Sequence, residues 1–158
     1  MSVGMRAGAA SSAALAVRTD PQKLGKEWLA VLATVPLFAG LSRRHLKNVA
    51  SLAKVRRYEP GTLIVRAGRP GDAFYVILDG EARVDTGRSR SIRLRGGDFF
   101  GEMSLLDGAP RSASVEAVGE VLAFQIGRTS FSKLLKDEPQ IPLELLKTLA
   151  RRLRDVQG

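Results

Sequence analysis

The sequence predicts a mainly β domain with helices at both ends. Three observations carry that reading. From about Val55 the period of the chain drops to two, in strand-like runs Val55–Tyr58, Leu63–Arg66, Phe74–Leu78, Ala82–Asp85, Ile92–Leu94, Ser112–Ala117 and Val121–Ile126. Turn signals separate these runs: Pro60-Gly61, Gly68-Arg69-Pro70-Gly71, Asp79-Gly80, Thr86-Gly87, Gly96-Gly97 and Val118-Gly119. Before and after them the period is helical. Short strands so closely spaced, with no long helices between them, point to a small sandwich or barrel and away from a doubly wound α/β sheet. The chain has 158 residues, the size of one domain. Folding at that length buries about 68–70% of the unfolded surface, so a core forms without staples.

In chain order, Met1 to Val17 is rich in Ala, Gly and Ser and holds no acid, which reads as part of a disordered tail over residues 1–20. A secretory signal, with Arg6 ahead of the Ala-rich run, is the alternative reading, for which Ala-Ala-Ser-Ser-Ala-Ala is a poor apolar region. A helix is expected from about Lys23 to Thr34, where Trp28, Leu29, Leu32 and Val35 recur at helical spacing, and Pro36 ends it. Ser42 is a good N-cap for a second helix, with Leu41 stapled to Leu46. Leu46, Val49, Ala50 and Ala53 form one face; Arg43, Arg44, Lys47 and Lys54 lie on the other side. His45, in the first turn, is expected to face solvent or make a local cap contact. The β region is expected over about 55–127. After it, Arg128–Leu135 reads as a short helix broken at Asp137-Glu138-Pro139, and a last helix runs from about Pro142 to Val156. Leu146, Leu149, Leu153 and Val156 form a short coiled-coil-like seam, suited to a homodimer or to folding back on the barrel.

Composition removes several function classes. There is no cysteine, which excludes disulfides, thiolate metal sites and Cys nucleophiles. His45 is the single histidine and lies outside the β region, so neither a metal site of the cupin type nor a His-based triad is expected. No stretch reaches the ~18 apolar residues of a membrane span. The reading is a binding module, not an enzyme, with no metal. The net charge is +9, and Met1–Arg57 carries ten Lys/Arg against two acids. Such a patch attracts nucleic acid, anionic lipid or an acidic partner, or is a solvated basic face. Nonspecific nucleic-acid contacts at the basic N-terminal helix are one expectation.

The stretch that carries chemistry is Phe99-Phe100-Gly101-Glu102-Met103-Ser104-Leu105-Leu106-Asp107-Gly108-Ala109-Pro110-Arg111-Ser112-Ala113-Ser114-Val115. A strand end, a glycine, about one helical turn and a return strand make an anion cradle. Gly101 lets backbone pass close to a ligand. Amides at the start of the Met103–Leu106 turn favour negative charge. Arg111 offers a planar fork suited to a phosphodiester oxygen, and Ser112 a hydroxyl. Glu102 is out of place beside an anion unless it accepts from a sugar hydroxyl, with Arg111 compensating its charge.

Phe-Gly-Glu-Met-Ser-Leu-Leu followed by Pro-Arg-Ser-Ala-Ser-Val closely resembles the phosphate-binding cassette of cyclic nucleotide-binding domains. The resemblance extends from about Leu32 to Arg154. Val35-Pro36-Leu37-Phe38 and Leu41-Ser42 look like that family's helical lead-in. Tyr58-Glu59-Pro60-Gly61, Ala67-Gly68 and Tyr75-Val76-Ile77-Leu78-Asp79-Gly80 look like its β-roll signature. Asp137-Glu138-Pro139 and Leu149-Ala150-Arg151-Arg152-Leu153 resemble its final helices. The resemblance implies an eight-stranded antiparallel β-roll (a double-stranded β-helix, jelly-roll-like) with N-terminal helices and C-terminal hinge helices over residues 21–158. It implies ligand contacts from Gly101, Glu102, Met103, Ser104, Arg111, Ser112 and Ala113, with Glu102 on the ribose 2′-hydroxyl and Arg111 on the cyclic phosphate. The ligand it implies is cAMP, and Ser112 is also compatible with cGMP. In the catabolite-activator-like branch polar residues just past the Ala-Arg-Arg-Leu stretch touch the purine; the positions reached here are Val156 and Gln157. In that branch a winged helix-turn-helix follows the last helix, whereas this chain ends at Gly158.

The expected function is therefore a stand-alone, cytoplasmic cyclic nucleotide sensor. Binding would move the hinge between Arg128 and Pro139 and swing the last helix to regulate a protein effector, a population shift between two states. Two alternatives stand beside it. One is a nucleic-acid-associated transcription regulator using the basic helix. The other is a degenerate β-roll interaction module that binds no nucleotide.

Overall fold

The computed structural model describes residues 26–87 and 91–157, with the side chains of residues 26–28 and 156 outside the description. The tail expected over residues 1–20 and the start of the first helix at Lys23 lie outside the described residues, as do the side chains of Trp28 and Val156. Among the described residues the α-helices are α1 (Lys26–Ala33), α2 (Arg43–Leu52), α3 (Glu102–Asp107), α4 (Arg128–Asp137) and α5 (Gln140–Gln157), with a 3-10 turn at Pro36–Phe38 after α1. The strands are β1 (Ala53–Tyr58), β2 (Leu63–Val65), β3 (Ala73–Asp79), β4 (Glu81–Asp85), β5 (Ser91–Arg95), β6 (Phe99–Phe100), β7 (Ser114–Ala117) and β8 (Val121–Gly127). They form two antiparallel sheets, ordered β1-β8-β3-β6 and β2-β7-β4-β5. This is the eight-stranded β-roll with flanking helices.

The first sheet has two buried faces. One set of its side chains, among them Phe74, Val76, Phe99, Phe124 and Ile126, packs against the helices through Leu32, Phe38, Val49, Phe131 and Ile141. The alternate set, Ala73, Tyr75, Ile77, Phe100, Val121 and Ala123, fills the roll with Val65, Ala82, Leu94, Val115 and Ala117 of the second sheet. A strand buried on both faces reads as a continuous apolar run, which is why Phe74–Leu78 lacks clean alternation. The second sheet keeps one wet face, tied by cross-strand pairs of Arg83 with Glu116, and of Arg93 and Arg95 with Glu81.

Several boundaries differ from the sequence reading, each for a local reason. Ala53, expected on the apolar face of α2, is instead the first residue of β1, paired with Ile126. Ser112 and Ala113 form a bend ahead of β7. There the Arg111 amide donates to Arg69 O at 2.8 Å and Arg111 O accepts from the Gly68 amide at 2.8 Å, which holds the chain to the β2–β3 loop. β6 is two residues long and too short to show a period. Ser42 caps α2 as expected, its hydroxyl accepting from the His45 amide at 3.4 Å. α4 runs on to Asp137, and Glu138 leaves helical geometry at φ −123 and ψ 85 because it precedes Pro139.

Glu138 corrects the expectation for His45. The local cap contact is present through the His45 amide and the ring is part-exposed, but the ring also makes a long-range contact. Its Nδ1 lies 2.7 Å and 2.8 Å from the two carboxylate oxygens of Glu138, and Asn48 Nδ2 donates to the same carboxylate at 3.2 Å. Glu138 is 3% exposed, so α2 satisfies a buried charge at the α4–α5 break. Along α5, Ile141 and Leu145 are buried, whereas Leu146 and Leu153 of the expected seam are 65% and 58% exposed and Leu149 is half-buried. The described residues contain no helix long and apolar enough to cross a membrane and no cluster of metal-ligating side chains.

Candidate functional site

The site grows from two glycines that let the chain turn sharply around α3. Gly101 (φ +92) ends β6 and caps α3 from the left-handed region, and Gly108 (φ +74) closes it with its amide on Ser104 O. A Cβ on Gly101 would lie 2.8 Å from Ala73 O and 2.8 Å from Arg111 Nη1. Gly101→Ala is therefore expected to lower the urea midpoint of unfolding. A non-glycine residue at such a φ costs on the order of 1–3 kcal/mol, and the guanidinium must also move. An unchanged midpoint would mean that this turn is not under steric control.

Arg111 is 6% exposed and held from three sides. Nη1 donates to Gly101 O at 3.0 Å and Nη2 to Ala73 O at 2.9 Å, and Asp72 Oδ1 lies 3.6 Å from Nη2. Its guanidinium sits 6.0 Å from the centroid of the Tyr75 ring. Tyr75 in turn stacks on Phe100, with centroids 4.8 Å apart and planes at 10°, and its hydroxyl accepts from Gln125 Nε2 at 3.3 Å. Burial, then the neighbouring Tyr75, pushes the Tyr58 phenol up to about 12. Two donors of the guanidinium thus go to carbonyls that fix its plane, and an arginine has five.

Glu102 is 2% exposed, and its partner is not Arg111. Its ion pair is with Arg152 of α5, Nη1 to Oε1 at 3.1 Å, and the compensation expected from Arg111 is a smaller, longer-range contribution. Arg152 also donates to Phe99 O at 2.7 Å and lies 4.7 Å over the Phe99 ring. Burial pushes the Glu102 carboxyl above its ordinary value. Arg152 opposes that most, followed by the Glu102 amide, Arg111 and the Met103 amide. A raised native pKa means that the folded chain takes up this proton before the unfolded chain does. The stability tied to the protonated form is complete below the ordinary glutamate value of about 4.3 and is lost as pH rises through the raised one. The stability of the wild type relative to Glu102→Gln is accordingly expected to fall as pH rises across that window. Urea midpoints of both proteins over a pH series check this, and a difference independent of pH would refute it.

The other expected site residues divide. Ser104 is buried against Gly71, where an added Cβ would fall 2.3 Å from Ser104 Cβ, so its side chain packs the cradle to the β2–β3 loop. Met103 is 54% exposed, Ser112 is exposed and Ala113 half-buried at the rim. The structure thus brings Gly101, Glu102 and Arg111 together and leaves Met103 and Ser112 on the surface. It also adds Arg152, Tyr75, Asp72 and Ala73, to which sequence reasoning gave no role. Arg152 had a detectable signal: it is in helical phase with the buried Ile141 and Leu145, an arginine on an apolar stripe. A cavity of about 280 Å³ lies under the second half of α5, lined in part by Leu37, Leu94, Phe99 and Arg152. That half of the helix is tied to the roll by the Arg152 contacts to Glu102 and Phe99.

Comparison with known proteins agrees with this architecture. The family model for the cyclic nucleotide-binding domain matches residues 55–138. A cAMP-dependent protein kinase regulatory subunit of Hypocrea atroviridis is 35% identical over 104 residues, 66% of this chain and 22% of that protein. A CRP-like cAMP-activated global transcriptional regulator of Mycobacterium tuberculosis is 30% identical over 129 residues, 78% of this chain and 58% of that protein. The crystal structure of Thermus thermophilus catabolite activator protein superposes with a TM-score of 0.70 at 35% identity, covering 77% of this chain and 60% of that one. The chain thus spans from about a fifth to three fifths of the length of these relatives. With the cassette, the buried arginine and the roll all in place, the chain belongs to the cyclic nucleotide-binding domain family.

Proposed function

We propose that this chain is a cyclic nucleotide sensor, with cAMP as its ligand, in which binding changes the position of α5 and so regulates a partner. The observation that carries the reading is the Glu102–Arg152 pair, because the carboxylate meant for a ribose hydroxyl is also the anchor of the last helix. In this reading Arg111 grips the cyclic phosphate, with the amides from Gly101 onward and the rim at Ser112 and Ala113 completing the cradle. A hydroxyl donating to Glu102 competes with Arg152 for the same oxygens, so ligand and helix position are linked. The exposed Leu146 and Leu153 favour a second copy of the chain as one surface that α5 meets.

Calorimetric titration with cAMP and cGMP tests the reading. Saturable binding of cAMP, tighter than cGMP, is expected. Absence of heat with either nucleotide, in a folded protein, would leave the β-roll as an interaction module that binds no nucleotide. Sedimentation with and without cAMP tests the pairing through Leu146, Leu149 and Leu153.

A further inference from the structure

Between Glu27 and Glu59 the sequence contains no acidic residue. The cations of that interval collect on α2 and the start of β1. Arg43, Arg44, Lys47 and Lys54 are all exposed, and none has an ion pair or side-chain hydrogen bond among the described residues. Elsewhere many cations are paired: Arg83, Arg93 and Arg95 with glutamates, Lys133 with Asp137, and Lys147 with Glu144, although Lys136 and Arg154 of the C-terminal helices are exposed without a partner among the described residues. At about 100° per residue, Arg43, Arg44 and Lys47 fall within an arc of about 100°. The other side of the helix is locked down by Leu46, Val49 and Ala50 and by the His45 and Asn48 contacts to Glu138. The cations therefore stand on a rigid support and need no reordering of backbone to meet a ligand.

We propose that this face of α2 docks the phosphate backbone of duplex nucleic acid, without regard to base sequence. Charge complementarity sets the sign of the partner. The make-up of the face selects among anionic partners. No large apolar side chain of α2 or β1 is exposed; those that are, such as Leu63, Ile92, Met103 and Leu146, lie elsewhere. The face therefore has no aromatic or aliphatic anchor for a protein partner and no wedge to enter a bilayer. Closely spaced phosphates need neither. Binding of this kind is counterion release, with a salt slope of about 0.9 per phosphate neutralised.

The test is fluorescence anisotropy of a short labelled duplex of random sequence against the full chain, over a salt series. Measurable binding at low salt that weakens steeply with salt is expected. Arg43→Ala, Arg44→Ala and Lys47→Ala combined should lower affinity at the lowest salt at least tenfold, and reduce the slope of log K on log salt by roughly 2.7. Lys133→Ala, Lys136→Ala and Lys147→Ala combined remove the same charge from α4 and α5 and should retain binding. Circular dichroism verifies that both triple variants are folded. Three results would overturn the proposal: no retention of duplex by the wild type, equal loss in both triple variants, or tighter binding of polyglutamate or of phosphatidylserine vesicles than of the duplex. The readout involves no cyclic nucleotide, so it stands or falls apart from the sensor reading.

Discussion

Arg111→Ala is expected to lower cAMP affinity about a hundredfold or more, and Arg111→Lys by less. The guanidinium is buried in the cradle, and its plane is fixed by the carbonyls of Gly101 and Ala73. Pre-set geometry means that little ordering entropy is lost when a phosphate docks. A hydrogen bond to a charged group contributes about 1.5–3 kcal/mol, and each 1.4 kcal/mol is tenfold in affinity, so two parallel bonds account for the expected loss. Lysine restores the charge and not the fork, so it recovers part of the affinity. Alanine also leaves one buried and one half-buried carbonyl without the guanidinium donor, so the variant will be less stable. Calorimetry must therefore be done where denaturation curves show it folded. Unchanged cAMP affinity in folded Arg111→Ala would remove Arg111 from the site.

Most of the roll was legible because its signals are local. Period-two runs and glycine turns need only neighbouring residues, and the cassette is one continuous stretch from Phe99 to Val115. What was not legible depends on residues far apart in the chain. Helix phase shows that Arg43 and Lys47 are exposed, but says nothing of Glu138 waiting for His45, 93 positions away. The same holds for Glu102. Its burial could be inferred from its place beside Gly101, yet its partner lies 50 residues on, in a helix whose docking depends on the whole roll. Arg111 was the nearer candidate in sequence. The structure gives Arg111 to carbonyls and to Asp72, and gives Glu102 to Arg152, so two charges expected to neutralise each other are each held separately. On the sensor reading, that separation lets Arg111 meet a phosphate without breaking an ion pair to Glu102, whereas Glu102 must share its carboxylate with Arg152.

2′-Deoxy-cAMP is expected to bind the wild type at least tenfold more weakly than cAMP, and the gap should shrink in Glu102→Gln. A buried carboxylate beside an anion site weakens phosphate binding in general, so its presence needs a selective gain. The ribose 2′-hydroxyl supplies one as a donor. Sites built for a hydroxyl reject the analogue lacking it far more strongly than an apolar pocket rejects a missing methylene, because a buried polar group is left unpaired. Arg152 tempers that penalty here. With the deoxy ligand bound, Glu102 can keep its 3.1 Å ion pair, so the loss is smaller than for a carboxylate with no other partner. This yields a sharper expectation. In Arg152→Ala, where the alternative partner is gone, discrimination between cAMP and 2′-deoxy-cAMP should widen relative to the wild type. Glu102→Gln keeps the shape and loses the charge, and a neutral amide oxygen gains less from the hydroxyl. Titrating both ligands against the wild type and each variant gives two coupling energies of opposite sign. If Glu102→Gln leaves the ratio of the two affinities unchanged, Glu102 does not meet the 2′-hydroxyl. If Arg152→Ala leaves it unchanged while Glu102→Gln does not, ligand and helix do not share that carboxylate, and α5 must sense the nucleotide by another contact.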